Sequence, residues 1–148
     1  GITKNGSKMI NAVSNSTVPH LTVIVGASYG AGNYGMSGRA FGPRFTFTWP
    51  TAKIAVMGPK QMAGVMTIVQ RTATERRGEV FDEEANAKRV ASVEHWAEER
   101  SKGLFATSRV ADDGMIDPRD TRTVLGIALS ACHNAPVKGT KEFGTWRM

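Results

Sequence analysis

No aspartate or glutamate occurs from Gly1 to Thr74. Half of the chain therefore holds no carboxylate pair for acid/base work and no acidic cluster for a divalent cation, because both need ionised oxygens side by side. Cysteine is nearly absent too. Cys132 stands alone, with no partner for an internal disulfide and no metal-ligand spacing around it, as suits a reducing compartment. No apolar run approaches the roughly 20 residues that cross a bilayer. The opening GITKNGSKMINAVSNSTV has no unbroken apolar core of the kind a secretory signal carries. It starts inside a patterned segment, so the expectation is a piece of something longer.

The charge that is present is unevenly placed. Lys4, Lys8, Arg39, Arg44, Lys53, Lys60 and Arg71 stand unopposed in the acid-free half, whereas acids and bases nearly balance from Glu75 onward, and the net charge is +6. A one-signed field attracts an anionic small ligand or an acidic partner surface. A merely soluble basic face is the plainer alternative. Nucleic acid is disfavoured, since clustered Arg/Lys runs, stacking aromatics and a known module are all missing. At 148 residues the length is that of one domain with a single sizeable core.

The chain is organised around LTVIVGASYGAGNYGM, residues 21 to 36. The β-branched run Thr22-Val23-Ile24-Val25 predicts a buried strand over 21–25, emptying into a loop that carries Gly26, Gly30, Gly32 and Gly35. Such glycines leave main-chain N–H groups open to a ligand oxygen. Before it, Ile2, Met9, Ile10 and Val13 predict a helix over residues 1–16, ended by Pro19. After it, Phe45, Phe47 and Trp49 alternate with Thr46 and Thr48, the period of a half-buried strand, with the rings expected in the core. A short strand over 53–57 follows, and Gly58-Pro59 opens a helix with Met62, Val65, Met66 and Val69 on one face expected to pack inward. Two strands and then one helix is the unit.

Asp82 caps a long charged helix that Gly103 ends, with Glu84–Lys88 and Glu98–Lys102 spaced to pair, and with Val90, Val93, Trp96 and Ala97 as its apolar side. We read it as a peripheral or partner-facing arm on which His95 is solvated. Asp112-Asp113-Gly114 is a turn, and Asp117-Pro118 starts a last helix bearing Val124, Leu125, Ala128, Leu129 and Cys132. The acids Asp112, Asp113, Asp117 and Asp120 sit at turn and helix-start positions that favour acids for ordinary reasons, so they are not read as a metal cluster. Residues 135–148 read as a tail held by Phe143 and Trp146.

Gly30-x-Gly32-x-x-Gly35 matches a dinucleotide fingerprint by letter only. The strand ends too early, and no acid follows at the distance a ribose needs. A phosphate-binding P-loop fails for want of Gly-Lys-Ser/Thr. What remains is backbone chemistry. N–H groups shaped by Gly30, Ala31 and Gly32 at a helix start suit a developing negative charge on an oxygen.

The stretch YGAGNYGMSGRAFGPRFTFTWPTAKIAVMG resembles the C-terminal half of the carboxyltransferase β subunit of biotin-dependent acyl-CoA carboxylases, with GITKNGSKMI before it and DDGMIDPRDTRTVLG after it. It is most similar to the methylcrotonyl-CoA and geranyl-CoA carboxylase β subunits, down to the ending FGTWRM. Residues 70–102 match least. The resemblance implies an α/β fold of the crotonase type, a spiral of strand-strand-helix units. The chain would be an incomplete C-terminal carboxyltransferase domain over 1–148, without its first strands and without the N-terminal domain that binds acyl-CoA.

It implies carboxyl transfer from carboxybiotin, carried by a biotin carboxylase/biotin carrier α subunit, to an acyl-CoA. The backbone amides of Ala31 and Gly32 would form the biotin oxyanion hole, with Gly30 beside them. Family members read Gly-Ala there, an exchange that leaves both amides available. Other β subunits, in a hexameric core, are the implied partners, and the bacterial cytoplasm or alternatively the mitochondrial matrix is the implied place. A decarboxylase carboxyltransferase subunit and a non-catalytic assembly fragment stay open as alternatives, as does a biotin-stacking role for Phe45, Phe47 or Trp49.

Overall fold

The computed structural model describes residues 1–139. The order of elements follows the strand-strand-helix unit. Helix α1 (Ile2–Asn15) leads into β1 (Leu21–Ile24), β2 (Ala27–Tyr29) and the short α2 (Ala31–Gly35). Then come β3 (Phe45–Thr48), β4 (Lys53–Ala55) and α3 (Pro59–Arg76). Helices α4 (Glu83–Ser101) and α5 (Gly103–Ser108) precede β5 (Gly114–Met115) and α6 (Thr121–Cys132).

Successive strands alternate between two parallel sheets. One is ordered β1-β3-β5, and the other pairs β2 with β4. Leu21 faces Phe45 in the first, and Ala27 faces Lys53 in the second. Each turn of the spiral thus lays a strand in the first sheet, then one in the second, and returns through a helix. Parallel neighbours need such a crossover. The helices α3 and α4 pack against each other and stand between the second and third turns. Among the described residues no helix is long and apolar enough to cross a membrane.

Several elements sit as the periodicity predicts. The N-terminal helix and both strands of the second unit are present, and Asp82 caps α4 by accepting the Ala85 N–H at 2.9 Å. The differences have physical causes. The glycine loop is not all loop, because Ala27–Tyr29 finds a strand partner in β4. β4 does not fold back on β3, and joins β2 instead. Val25 lies past the end of β1 and is exposed.

On β3 the threonines are the more deeply buried face. Thr46 and Thr48 are 1% and 0% exposed, against 9% for Phe47. The Thr48 hydroxyl donates to Asp112 Oδ2 at 2.5 Å, which also accepts from Thr107 at 2.8 Å, and Asp113 Oδ2 accepts the Thr46 N–H at 2.8 Å. The buried Asp112 carboxylate needs such donors, which accounts for Thr48 turning inward. The Thr46 hydroxyl, by contrast, is buried without a hydrogen-bond partner, and Asp113 holds only the Thr46 main chain. Asp117 caps the single turn Pro118–Asp120 rather than α6 itself.

The helices differ most. On α3 only Ala63 and Thr74 are buried, whereas Val65, Met66, Ile68 and Val69 are exposed. Glu84 pairs with Lys88 at 2.8 Å, but Lys102 pairs with Glu99 at 2.5 Å, because Glu98 reaches Lys53 on β4. Gly103 opens α5 instead of closing α4 in a left-handed turn. A Cβ there would sit 3.2 Å from the Trp49 carbonyl oxygen and 3.3 Å from Ala52, so glycine fits with no shift of its neighbours. With Ala97 and Ser101 buried, α4 is docked at its C-terminal end rather than free along its length. On α6, Ala128 and Cys132 are buried while Leu129 is half exposed. The tail aromatics Phe143 and Trp146 lie outside the described residues.

Candidate functional site

Gly30 is the pivot between β2 and α2. Its φ of 60° and ψ of −140° belong to a region that side chains resist, and a Cβ there would lie 3.0 Å from the Val56 carbonyl oxygen. Its N–H donates to the Ala55 carbonyl at 3.0 Å, and its own carbonyl accepts the Asn33 N–H at 3.1 Å. The chain therefore turns immediately beyond the second sheet and enters a helix. The first two N–H groups of that helix, on Ala31 and Gly32, have no acceptor within it.

Ala31 and Gly32 are both exposed, and apart from its own chain neighbours and helix backbone nothing lies within 4 Å of where a Gly32 Cβ would be. Two adjacent open amides make a donor set for one oxygen bearing negative charge. No acid stands in the first turn of α2 to compete for them. The Gly30, Ala31 and Gly32 that the sequence singles out are thus contiguous at one helix start.

A helix of five residues cannot hold itself, so its ties to other elements fix it. The Asn33 side-chain amide donates to Ser28 Oγ at 2.8 Å, the Gly38 N–H donates to the Asn33 carbonyl at 2.7 Å, and the Thr22 hydroxyl donates to the Ser37 carbonyl at 2.8 Å. Gly35 lies against Met9 of α1. Sequence reasoning misses Asn33 and Ser37, whose only mark is the density of small residues in GNYGMSG.

Two clefts flank this element. One of about 710 Å³ runs between α1, β1 and α2, lined by Met9, Val13, Thr22, Ile24 and Met36 among others, and is mostly apolar. It does not reach Gly30, Ala31 or Gly32. Another, of about 520 Å³, lies between Tyr29, the start of α3 at Lys60 and Gln61, and Glu94, His95 and Glu98 of α4. His95 is exposed there, as expected of a solvated residue. Glu98 holds the Lys53 ammonium above the usual lysine range through their hydrogen bond.

The other residues considered for chemistry are engaged elsewhere. Phe45 and Phe47 stack on each other with centroids 5.9 Å apart, and the Trp49 indole N–H donates to Thr121 at 3.0 Å. Asp113 is bonded to Arg39 at 3.1 Å and Asp117 to Arg119 at 2.6 Å. Among the described residues no group of three or more His, Cys, Asp or Glu is placed to hold a metal ion.

The chain is similar to known proteins over nearly its whole length. The carboxyl transferase domain matches residues 1–145. A probable biotin-dependent acyl-coenzyme A carboxylase beta2 subunit of Mycobacterium tuberculosis is 59% identical over the whole chain, which covers 28% of that protein. A probable mitochondrial methylcrotonoyl-CoA carboxylase beta chain of Drosophila melanogaster is 47% identical over the whole chain, covering 25% of it.

Among solved structures, the P. aeruginosa geranyl-CoA carboxylase beta subunit superposes with a TM-score of 0.80 at 42% identity, over 98% of this chain and 27% of that one. The transcarboxylase 12S hexamer, with methylmalonyl-coenzyme A bound, gives 0.78 at 28% identity over 100% of this chain and 26% of its own. The chain thus spans about a quarter of the proteins it matches, with the crotonase-type spiral of the carboxyltransferases. On the match over nearly its whole length, this chain belongs to the carboxyl transferase domain family.

Proposed function

We propose that this chain is the biotin-facing C-terminal domain of a carboxyltransferase β subunit, in an acyl-CoA carboxylase of the methylcrotonyl-CoA or geranyl-CoA type. The observation that carries the reading is the open amide pair at Ala31 and Gly32, in a chain of this family whose acid-free half offers no carboxylate for the task.

The donor set fits biotin. The ureido oxygen is a single acceptor whose negative charge rises as the carboxyl group leaves, and two adjacent N–H groups with free space beside them match that need. When bound, biotin supplies the carboxyl group that is transferred. The chain's own part is to bind and polarise that oxygen at the Ala31 and Gly32 N–H groups. Gly30 allows the close approach, and no acidic side chain in the first turn of α2 raises the local negative potential. The acyl-CoA would be held by a different domain, so this chain supplies one side of the site. An α subunit carrying biotin and further β subunits in a hexameric core complete the assembly, in a bacterial cytoplasm or a mitochondrial matrix.

The test is carboxyl transfer to methylcrotonyl-CoA and geranyl-CoA by the full-length β subunit, with free biotin or with its α subunit. Gly32→Val places a branched side chain beside the amides at an exposed position where a Cβ meets no other part of the fold within 4 Å. It is expected to lower transfer by at least about 100-fold while the subunit still assembles. Undiminished transfer in an assembled Gly32→Val subunit overturns the reading.

A further inference from the structure

We infer that His20 is a positioning residue for the amide pair, acting through Ser37 at the far end of α2; the inference rests on the reading of Ala31 and Gly32 given above. The His20 ring is half-buried where α1 and α2 both end. Its Nδ1 lies 2.9 Å from Ser37 Oγ and its Nε2 lies 3.0 Å from Ser16 Oγ. Both ring nitrogens are occupied, so the ring cannot turn without losing two bonds. A serine hydroxyl donates or accepts, so either tautomer of the ring is served.

The backbone of His20 is itself fixed. Its carbonyl accepts the Arg44 N–H at 2.8 Å, which ties it to the start of β3 just before β1 begins. The side chain thus carries the position of the rigid sheet over to α2. Ser37 is where that position is delivered. Its φ of 57° is uncommon for a residue with a side chain, so the surroundings must hold it there. They do so at two atoms, the hydroxyl by His20 and the carbonyl by Thr22.

From Ser37 the chain leads straight back to the amides. The Ser37 N–H donates to the Tyr34 carbonyl at 3.0 Å, and the neighbouring Met36 N–H donates to the Gly32 carbonyl at 3.2 Å. Releasing the Ser37 hydroxyl loosens the last turn of a helix that has little more than one turn. The first turn is left to its ties through Gly30 and Asn33 to the second sheet, so the amides are less closely positioned. Rate is sensitive to such a loss of position, because the donors must meet the oxygen of the transition state.

The two bonds can be separated in the full-length β subunit. His20→Asn keeps a polar group where Nδ1 stands and so keeps the Ser37 bond; His20→Gln keeps one where Nε2 stands and so keeps only the Ser16 bond. His20→Gln and Ser37→Ala are expected to lower kcat for carboxyl transfer about tenfold with KM for acyl-CoA unchanged. His20→Asn is expected to stay within about twofold of the parent, and the double variant His20→Gln/Ser37→Ala to be no worse than either single one.

Equal losses in His20→Asn and His20→Gln, or an unchanged kcat in Ser37→Ala, overturn the proposal. Should His20→Gln fail to fold, Ser37→Ala, which removes one hydroxyl, decides alone. Gly32→Val measured alongside separates the two readings. If it abolishes transfer while Ser37→Ala does not affect it, the amide pair stands and the role of His20 falls. If it leaves transfer intact, the pair is lost and the positioning role with it.

Discussion

At the scale of single residues, what stands beside a glycine decides its cost of substitution. A Cβ on Gly38 would collide with the Asn33 side-chain oxygen and lie 2.6 Å from the Asn33 carbonyl, which is backbone and cannot step aside. A Cβ on Gly35 would lie 2.7 Å from Met9 Cε, the end of a flexible side chain. Gly38→Ala is therefore expected to cost about 2–3 kcal/mol and Gly35→Ala under about 1 kcal/mol, read from urea unfolding. The reverse order would mean that the loop after α2 is less tightly built than its hydrogen bonds imply.

Asp113 makes a second prediction at this scale. Burial works to raise its pKa, yet the Thr46 N–H and the Arg39 guanidinium together bring its carboxyl below the usual range. A group depressed in the folded state stabilises above its unfolded value of about 3.9, and that contribution is lost as pH falls through the lower folded value. Asp113→Asn should lower stability at neutral pH and flatten its decline below about pH 4. Parallel curves for variant and parent would show that Asp113 has no such share.

At the scale of elements, caps are local and packing is not. Asp82→Ala removes the one side-chain cap on α4 and should cost about 1 kcal/mol, while Asp82→Asn keeps an acceptor and most of the stability. Thermal unfolding of both checks it. The same contrast explains how much the sequence discloses. The start of α4 is legible because Asp82 acts on a neighbour three positions away, and Gly30 to Gly32 are legible because glycine density marks open backbone.

The rest is set by partners far along the chain. Ala27 to Tyr29 are a strand only because Lys53 to Ala55 lie beside them. Thr48 turns inward onto Asp112, 64 positions further along the chain. Glu98 prefers Lys53, across the fold, to the Lys102 that helical spacing offers. His20 and Ser37 stand apart in sequence, and no spacing rule joins them.

At the scale of the whole molecule, the surface is too large for its mass. A compact monomer of 15.9 kDa exposes roughly 7,400 Å², whereas this chain exposes 10295 Å². The buried apolar residues are mostly alanines, with Ile24 and Phe47 as the large ones, while Val56, Val65, Ile68, Val69, Leu104 and Ile127 face outward. The α3 stripe expected to pack inward is instead an exposed apolar face, of the kind that a partner surface covers. Burial of those faces and folding are then linked, so stability depends on the concentration of whatever covers them. The chain alone is expected to unfold at a low midpoint and to bind a hydrophobic dye. On the function proposed above, adding the acyl-CoA-binding domain should raise the midpoint in proportion to the logarithm of its concentration and displace the dye. Introducing charge at Val65 and Val69 should remove that rise while the circular dichroism of the chain alone stays the same. A midpoint indifferent to the added domain, or a Val65/Val69 variant that gains as much from it, would show that this face does not bind it.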